Sequence, residues 1–358
     1  MLLSPDRVAA IAAGRDEHPR MRERDLAQTL GVREAEILAA EIGAEIGAGP
    51  DTGTGARVRR IVADPVRLMP MLGALGDVMA LTRNDWCVHE RRGVYDTFHA
   101  GEHAAMVLGA EIDLRIFPRH WVHGFAVLRE GEGGPRRSLQ IFDAAGDAVH
   151  KIHLGAQSDA AAFDRLVEAL APPDAAPFDL APRAAPEPVR VNAGKLEALR
   201  EGWAAMTDTH HFLTMTRRLK FDRLGAYRSI GAPWARPLPA DALVAALRQA
   251  GAAGIAIMVF VGNHGCIQIH SGRVERLEPM GPWFNVLDPR FNLHLRADKV
   301  AEVWLVRKPT RRGDAVSIEA FDATGQLIAQ IFGKRAEGAT DTAAWDALAE
   351  GLAEGVSA

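Results

Sequence analysis

Two adjacent histidines, His210 and His211, and one arginine inside a strand pattern, Arg115, are the side chains of this sequence best suited to chemistry. An imidazole titrates near neutrality and ligates transition metals, so a histidine whose place on a helix is fixed is a candidate for either task. Leu196, Leu199, Trp203, Met206, His210, Leu213 and Arg217 recur at alternating spacings of 3 and 4 residues. That spacing predicts one helix with a buried stripe and puts His210 in an apolar slot of it. A histidine in such a slot is either a hydrogen-bonded core residue or a ligand. His211 projects about 100° round the same helix, so the pair cannot close on one small ion, although each offers a donor to something larger.

The run from Glu111 to Phe117, EIDLRIF, alternates as a strand and places Arg115 on one face with Asp113 and Phe117. Two readings stand here: an Asp–Arg surface pair, or a guanidinium aimed into a pocket walled by an aromatic ring. No His-Glu-x-x-His occurs, and Val88-His89-Glu90 alternates across a strand, so zinc hydrolysis is not expected. No Gly-x-Ser-x-Gly elbow, Walker loop or dinucleotide fingerprint follows a strand, which leaves nucleophilic hydrolases and nucleotide-dependent enzymes without their usual signals. Neither zinc nor a nucleotide is expected as a cofactor. Cys87 and Cys266 are the only cysteines, too few for a disulfide framework or a Cys-rich metal site, and they fit small buried positions in a reducing compartment.

The elements that must carry these residues come in two copies. At a constant offset of 179 residues Asn84 matches Asn263, Cys87 matches Cys266, Val107-Leu108 matches Val286-Leu287 and Phe142-Asp143-Ala144 matches Phe321-Asp322-Ala323. From 84 to 146 there are 13 identities in 63 ungapped positions, where chance gives roughly four, so the chain is a duplication. Each copy reads as an antiparallel sheet of short alternating runs. SLQIFDAAGDAVHKIHL and SIEAFDATGQLIAQIF are hairpins around a Gly-containing turn. Amphipathic helices, AAAFDRLVEALA and AAWDALAEGLA, close the copies. The expected class is α+β with two tandem structural repeats, each a large antiparallel sheet flanked by helices. Arg115 meets His294 at the repeat offset, so the copies have diverged where a site would lie.

Residues 171–190 hold six prolines and read as an extended linker, dividing an N-terminal repeat with a helical cap, 1–170, from a C-terminal repeat, 191–358, that carries the His210 helix. The cap includes RDLAQTLGVREAEILAAEIG, which resembles a helix-turn-helix. Its second helix is acidic and would repel phosphate, so it reads as a cover for the first sheet and no nucleic-acid partner is expected. With 358 residues, 48% hydrophobic and 25% charged, the chain has the profile of about two ordinary globular domains. A net charge of −4 gives no global pull toward nucleic acid or membrane. Asp6 and Arg7 interrupt any N-terminal signal stretch, and no run approaches a membrane span of about 20 apolar residues, so a cytoplasmic protein without membrane insertion is expected.

With these residues in view the sequence resembles the cytoplasmic hemin-degrading and hemin-transport proteins of the HemS, HmuS and ChuS type. The resemblance covers nearly the whole chain and rests on TRNDWCVHERRGVY, EIDLRIFPRHW, SLQIFDAAGDAVHKIHL, WAAMTDTHHF, the long segment from Ile257 to Leu295, VRKPT and QIFGKRAEG, in order and spacing. It implies a heme cleft between the two halves. It makes His210, in Asp208-Thr209-His210-His211-Phe212, the iron ligand, with the doubled His211 as the alternative. It makes Arg115 the distal, catalytic residue with Phe117 beside it, and assigns Arg223, Lys308, Gln330 and Arg335 to the propionates and the heme edge.

Imidazole suits heme iron, and cations suit propionates through charge-assisted hydrogen bonds. The resemblance therefore implies iron acquisition from imported hemin, by reductant-dependent oxidative opening of the ring with release of iron. The alternative it leaves open is a trafficking or storage protein that delivers heme to a separate heme oxygenase. A membrane hemin importer and a reductase or heme oxygenase are the implied partners. Binding and catalytic residues coincide in the two readings.

Overall fold

The computed structural model describes residues 3–42, 56–130, 133–173, 178–334 and 342–354. They form two units. The first takes the chain up to Arg83, Glu90–Ala184 and Gly262–Gln268; the second takes Asn84–His89, Ala185–Val261 and the chain from Ile269 on. The main division, between Ala184 and Ala185, lies inside the proline-rich stretch. Among the described residues no helix is long and apolar enough to cross a membrane.

The first unit opens with α1 (Pro5–Glu17), α2 (Glu23–Leu30) and α3 (Glu34–Ala40). Ser4 caps α1 and Pro5 starts it, while Gly31, in the left-handed region at φ 64°, ends α2. Then come β1 (Ala56–Ile61), α4 (Pro65–Leu72), β2 (Val78–Arg83), β3 (Cys87–Gly93), β4 (Phe98–His99), β5 (Ala105–Leu108), β6 (Asp113–Ile116), β7 (His123–Arg129), β8 (Arg136–Phe142), β9 (Ala148–Leu154) and α5 (Ala160–Ala169). Within the unit the strands run β1-β7-β8-β9-β2 and, separately, β4-β5-β6, antiparallel. One face is filled by residues such as Leu68, Leu114, Ile116, Leu139, Ile141 and Phe163, and α3 covers the other through Ala35 and Leu38 against Phe125, Val127 and Phe142.

The second unit repeats this plan with α6 (Leu196–Ala204), α7 (His211–Leu219), α8 (Arg223–Ile230), β10 (Ala235–Leu238), α9 (Ala242–Ala253), β11 (Ile257–Gly262), β12 (Cys266–Gly272), β13 (Leu277–Met280), β14 (Trp283–Leu287), β15 (Phe291–Arg296), β16 (Glu302–Lys308), β17 (Ala315–Phe321), β18 (Leu327–Gly333) and α10 (Ala343–Glu354). Its strands run β10-β16-β17-β18-β11 and β13-β14-β15. The 179-residue offset holds at the level of cross-strand pairs: Met106 faces Arg115 as Asn285 faces His294, and His123 faces Phe142 as Glu302 faces Phe321. The bulge between Ile141 and Phe142 recurs between Ala320 and Phe321. Gly146 and Gly325, at φ 80° and 83°, make the same turn after an aspartate whose Oδ1 accepts backbone N–H groups.

The duplication also extends to the helical caps, at an offset of 189 rather than 179 residues, which the ungapped comparison misses. Gly31 and Lys220 are equivalent under it, and both take φ 64° at a helix C-cap. α2 and α3 thus correspond to α7 and α8.

Two short segments are exchanged. Cys87, from the first copy, is buried in the core of the second unit among Val259, Leu293 and Ile318. Cys266, from the second copy, is buried in the core of the first among Val78, Leu114 and Ile152. Within the second unit Asn84 accepts from the N–H groups of Trp86 and Cys87 and donates to the Ile328 carbonyl at 2.8 Å. Within the first, Asn263 accepts from Gly265 and Cys266 and donates to the Arg83 and Val149 carbonyls, both at 2.9 Å.

Candidate functional site

The single helix expected through His210 is two helices. α6 stops at Ala204 and α7 starts at His211. The physical reason is Asp208, whose Oδ1 accepts the N–H of His210 at 2.9 Å in a turn that competes with helix propagation. The break rotates the buried stripe: Leu199, Trp203 and Met206 remain inside, but the stripe resumes with Phe212, Met215 and Leu219. His210 is therefore not in an apolar slot. Its side chain is 89% exposed, and Leu213, on the same outer face, is 52% exposed.

The same Asp208 Oδ1 lies 2.6 Å from His210 Nδ1. A carboxylate there favours the Nδ1–H tautomer and leaves Nε2, the other ring nitrogen, with its lone pair toward solvent. The backbone and side-chain bonds from His210 hold the Asp208 carboxyl below its usual range, so it is ionised at neutral pH. His211, also exposed at the start of α7, donates its backbone N–H to the Asp208 carbonyl at 3.1 Å, whereas among the described residues no carboxylate orients its ring as Asp208 orients that of His210. Geometry thus distinguishes two histidines that the sequence leaves as alternatives.

Two residues beyond His210, Phe212 turns inward and joins a ring cluster with Trp203 and Tyr227, at centroid distances of 5.2 and 5.6 Å. Over its face lie the guanidinium of Arg223 at 5.4 Å and the ammonium of Lys308 at 5.0 Å. Both cations converge on Glu319, which sequence reasoning missed. Lys308 Nζ donates to Oε1 at 2.7 Å, and Arg223 donates to Oε2 at 3.0 Å. Ser317 and Tyr227 donate to the two oxygens at 2.8 Å each. Burial pushes the carboxyl upward, but Lys308 and Arg223 overcome it and hold it down at about 2. Gln330 faces Glu319 across β17 and β18 and is half-buried. Arg223, Lys308 and Gln330, far apart in sequence, are thus brought together. The available signal was the alternation Ser317-Glu319-Phe321, which puts a carboxylate on an inward-facing slot. Arg335 lies outside the described residues.

Arg115 sits on β6 with the expected alternation, its side chain 31% exposed beside Asp113. The guanidinium pairs with the Asp113 carboxylate and donates to the Leu114 carbonyl at 3.1 Å. Burial raises the Asp113 carboxyl, opposed by Arg115. Phe117 follows on the same face, half-buried. The repeat counterpart, His294, instead holds Asn285 Oδ1 at 2.7 Å. Among the described residues no group of three or more His, Cys, Asp or Glu could hold a bare metal ion. An exposed, carboxylate-oriented imidazole can supply one ligand to a metal complex, and the partly exposed Arg223 can supply counter-charge to an anionic one.

Fold and site together define a class: duplicated α+β proteins in which the second repeat presents a helix-terminal imidazole. The chain matches the family model described as the haemin-degrading HemS.ChuX domain over residues 31–170 and 220–352, and it belongs to that family. It is 36% identical over 330 residues to the hemin transport protein HmuS of Yersinia pestis, covering 92% of each chain. Among solved structures it is similar to holo-PhuS, a heme-binding protein from Pseudomonas aeruginosa, with TM-score 0.89, 41% identity and coverage of 98% of this chain and 99% of that one. It is also similar to the heme degrading enzyme ChuS of Escherichia coli O157:H7, with TM-score 0.86, 31% identity and coverage of 97% and 98%.

Proposed function

We propose that this chain is a cytoplasmic heme-binding protein that takes imported hemin as substrate and opens the ring oxidatively, releasing iron. The observation that carries the reading is the Asp208–His210 pair, an imidazole held by one nitrogen and offered to solvent by the other. In this reading His210 Nε2 is the axial ligand, with His211 as the alternative. Arg223, Lys308, Gln330 and Arg335 receive the propionates and the heme edge. When bound, heme supplies redox-active iron, and dioxygen and an external electron donor are the co-reactants.

The chain's own residues bind and orient. Asp208 fixes the tautomer of His210, and the ring cluster around Phe212 shields Lys308 and part of Arg223 from bulk water, which strengthens their attraction for a carboxylate. Arg115, always charged, is the catalytic residue that stabilises negative charge developing during oxygen chemistry, with Phe117 as its aromatic neighbour. The partners in this reading are a membrane hemin importer and a reductase.

The test is to load the pure protein with hemin, add an electron donor in the presence of catalase and follow the Soret band. Loss of the band with release of iron, abolished in Arg115→Ala while binding is retained, supports degradation. A stable spectrum, with heme passed intact to a separate heme oxygenase, overturns it in favour of trafficking, the reading favoured by the transport names of the Yersinia relatives.

A further inference from the structure

Four donors converge on the Glu319 carboxylate, and none of its surface is exposed. A surface ion pair would contribute little, but a fully buried carboxylate that holds two cations fixes their positions, because moving either one strands a charge away from water. Tyr227 ties the arrangement together. Its hydroxyl donates to Glu319 Oε2 and accepts from Lys308 Nζ at 3.0 Å and from Arg223 at 3.1 Å.

The way Arg223 is used is specific. Only its Nη1 is bonded to the protein among the described residues, and its side chain is 23% exposed. The remaining edge of the guanidinium, Nε and Nη2, is the planar fork that matches a carboxylate. With two cations and one anion the cluster keeps one net positive charge for a ligand.

The first unit supplies an internal comparison. At the position equivalent to Glu319 it has Gln140, whose Nε2 donates to Ser138 at 3.2 Å and whose Oε1 has no partner among the described residues. At the helix position equivalent to Arg223 it has Glu34, paired with Lys151, and at that of Lys308 it has Arg129, paired with Glu23 and Glu41. There the acids come from the helices and neutralise the sheet's cations. In the second unit the acid is in the sheet and holds a helix cation with one edge uncommitted. The polarity is reversed in the unit that carries His210.

We infer that Glu319, with Tyr227, is a positioning residue for ligand carboxylates: it anchors one edge of Arg223 and the ammonium of Lys308 so that the other edge of Arg223 is presented to a propionate. This rests on the heme reading above. It makes Glu319 a determinant of selectivity for porphyrins with free carboxylates, although it does not touch the ligand.

The experiment compares hemin with hemin dimethyl ester, whose propionates are esterified, by optical titration of the full-length protein, wild type, Glu319→Gln, Glu319→Asp and Tyr227→Phe. The expected result is that wild type prefers hemin, that Glu319→Gln loses about tenfold in affinity for hemin with little change for the ester, and that Glu319→Asp recovers part of the preference. The Soret position at saturation, set by the axial ligand, stays the same in all variants. Equal losses for both porphyrins in Glu319→Gln, or an unchanged preference, overturn the inference. Should Glu319→Gln lose its near-ultraviolet circular dichroism, Tyr227→Phe decides by the same ratio: a reduced preference supports the inference and an unchanged one overturns it. Failure of the heme reading looks different, because wild-type protein then gives no His210-dependent Soret band with either porphyrin.

Discussion

Asp208 Oδ1 stands 2.6 Å from His210 Nδ1 and also accepts the His210 backbone N–H, so one carboxylate oxygen both breaks the helix and aims the ring. Asp208→Ala removes both effects. The expected outcome is about tenfold weaker hemin binding, the lower end of the range for loss of a carboxylate behind a ligating histidine, with a shifted Soret band. His210→Ala is expected to weaken binding further or change the spin state, with His211 substituting in part. An unchanged titration and spectrum in the His210→Ala/His211→Ala double variant would refute the ligand assignment.

The two asparagines at the exchanged segments are a stability prediction. Asn263→Ala removes acceptors from the Gly265 and Cys266 N–H groups and a donor from the Arg83 and Val149 carbonyls. Partly buried backbone groups left unpaired cost about 2–3 kcal/mol in all, read as a lower urea midpoint. Asn84→Ala, which does the same in the second unit, should cost a similar amount. A loss below a few tenths of a kcal/mol in both would contradict the role given to these side chains.

A pH prediction comes from His150. Its ring is buried, stacked on Trp121, with Nδ1 2.8 Å from Thr82 Oγ1 and Nε2 2.6 Å from the Tyr95 hydroxyl. Burial, aided by His153 nearby, lowers its pKa from 6.5 to about 3. The unfolded chain therefore binds a proton that the folded chain refuses, and this contribution to stability is present above about 6.5 and is lost progressively as pH falls toward about 3. The repeat counterpart is Ala329, so His150→Ala is a substitution for which the fold already has a precedent. It should lower stability at pH 7 and flatten the slope of stability against pH within that window. A slope identical to wild type would sink the assignment.

Thiol chemistry gives a further check. Both cysteines are fully buried, and burial pushes the Cys266 thiol up to about 12 despite a bond from Thr82. The Cys266 thiol therefore stays protonated at neutral pH, and burial shields Cys87 from reagents. An aromatic disulfide reagent should label neither cysteine in the native protein and both after denaturation. Rapid labelling of the native protein would show that the cores holding them open readily.

Sequence alone determined the duplication, because identities at a fixed offset need no knowledge of contacts, and the strand ladders repeat that offset pair by pair. It also determined the α+β class, since period-2 and period-3.6 patterns are local. The family motifs singled out His210, Arg223, Lys308 and Gln330, and the comparisons show the family itself. Tertiary structure alone decided that His210 is outside and Phe212 inside, because periodicity counts residues along an unbroken helix and the Asp208 turn resets the count. It alone decided that Glu319 joins Arg223 and Lys308. Those three residues are separated by up to 96 positions, and the geometry that brings them together is fixed by strand register and helix docking. Local propensity carries no information about which charges will share one buried volume, whereas the cost of leaving any of them unpaired there is what selects the arrangement.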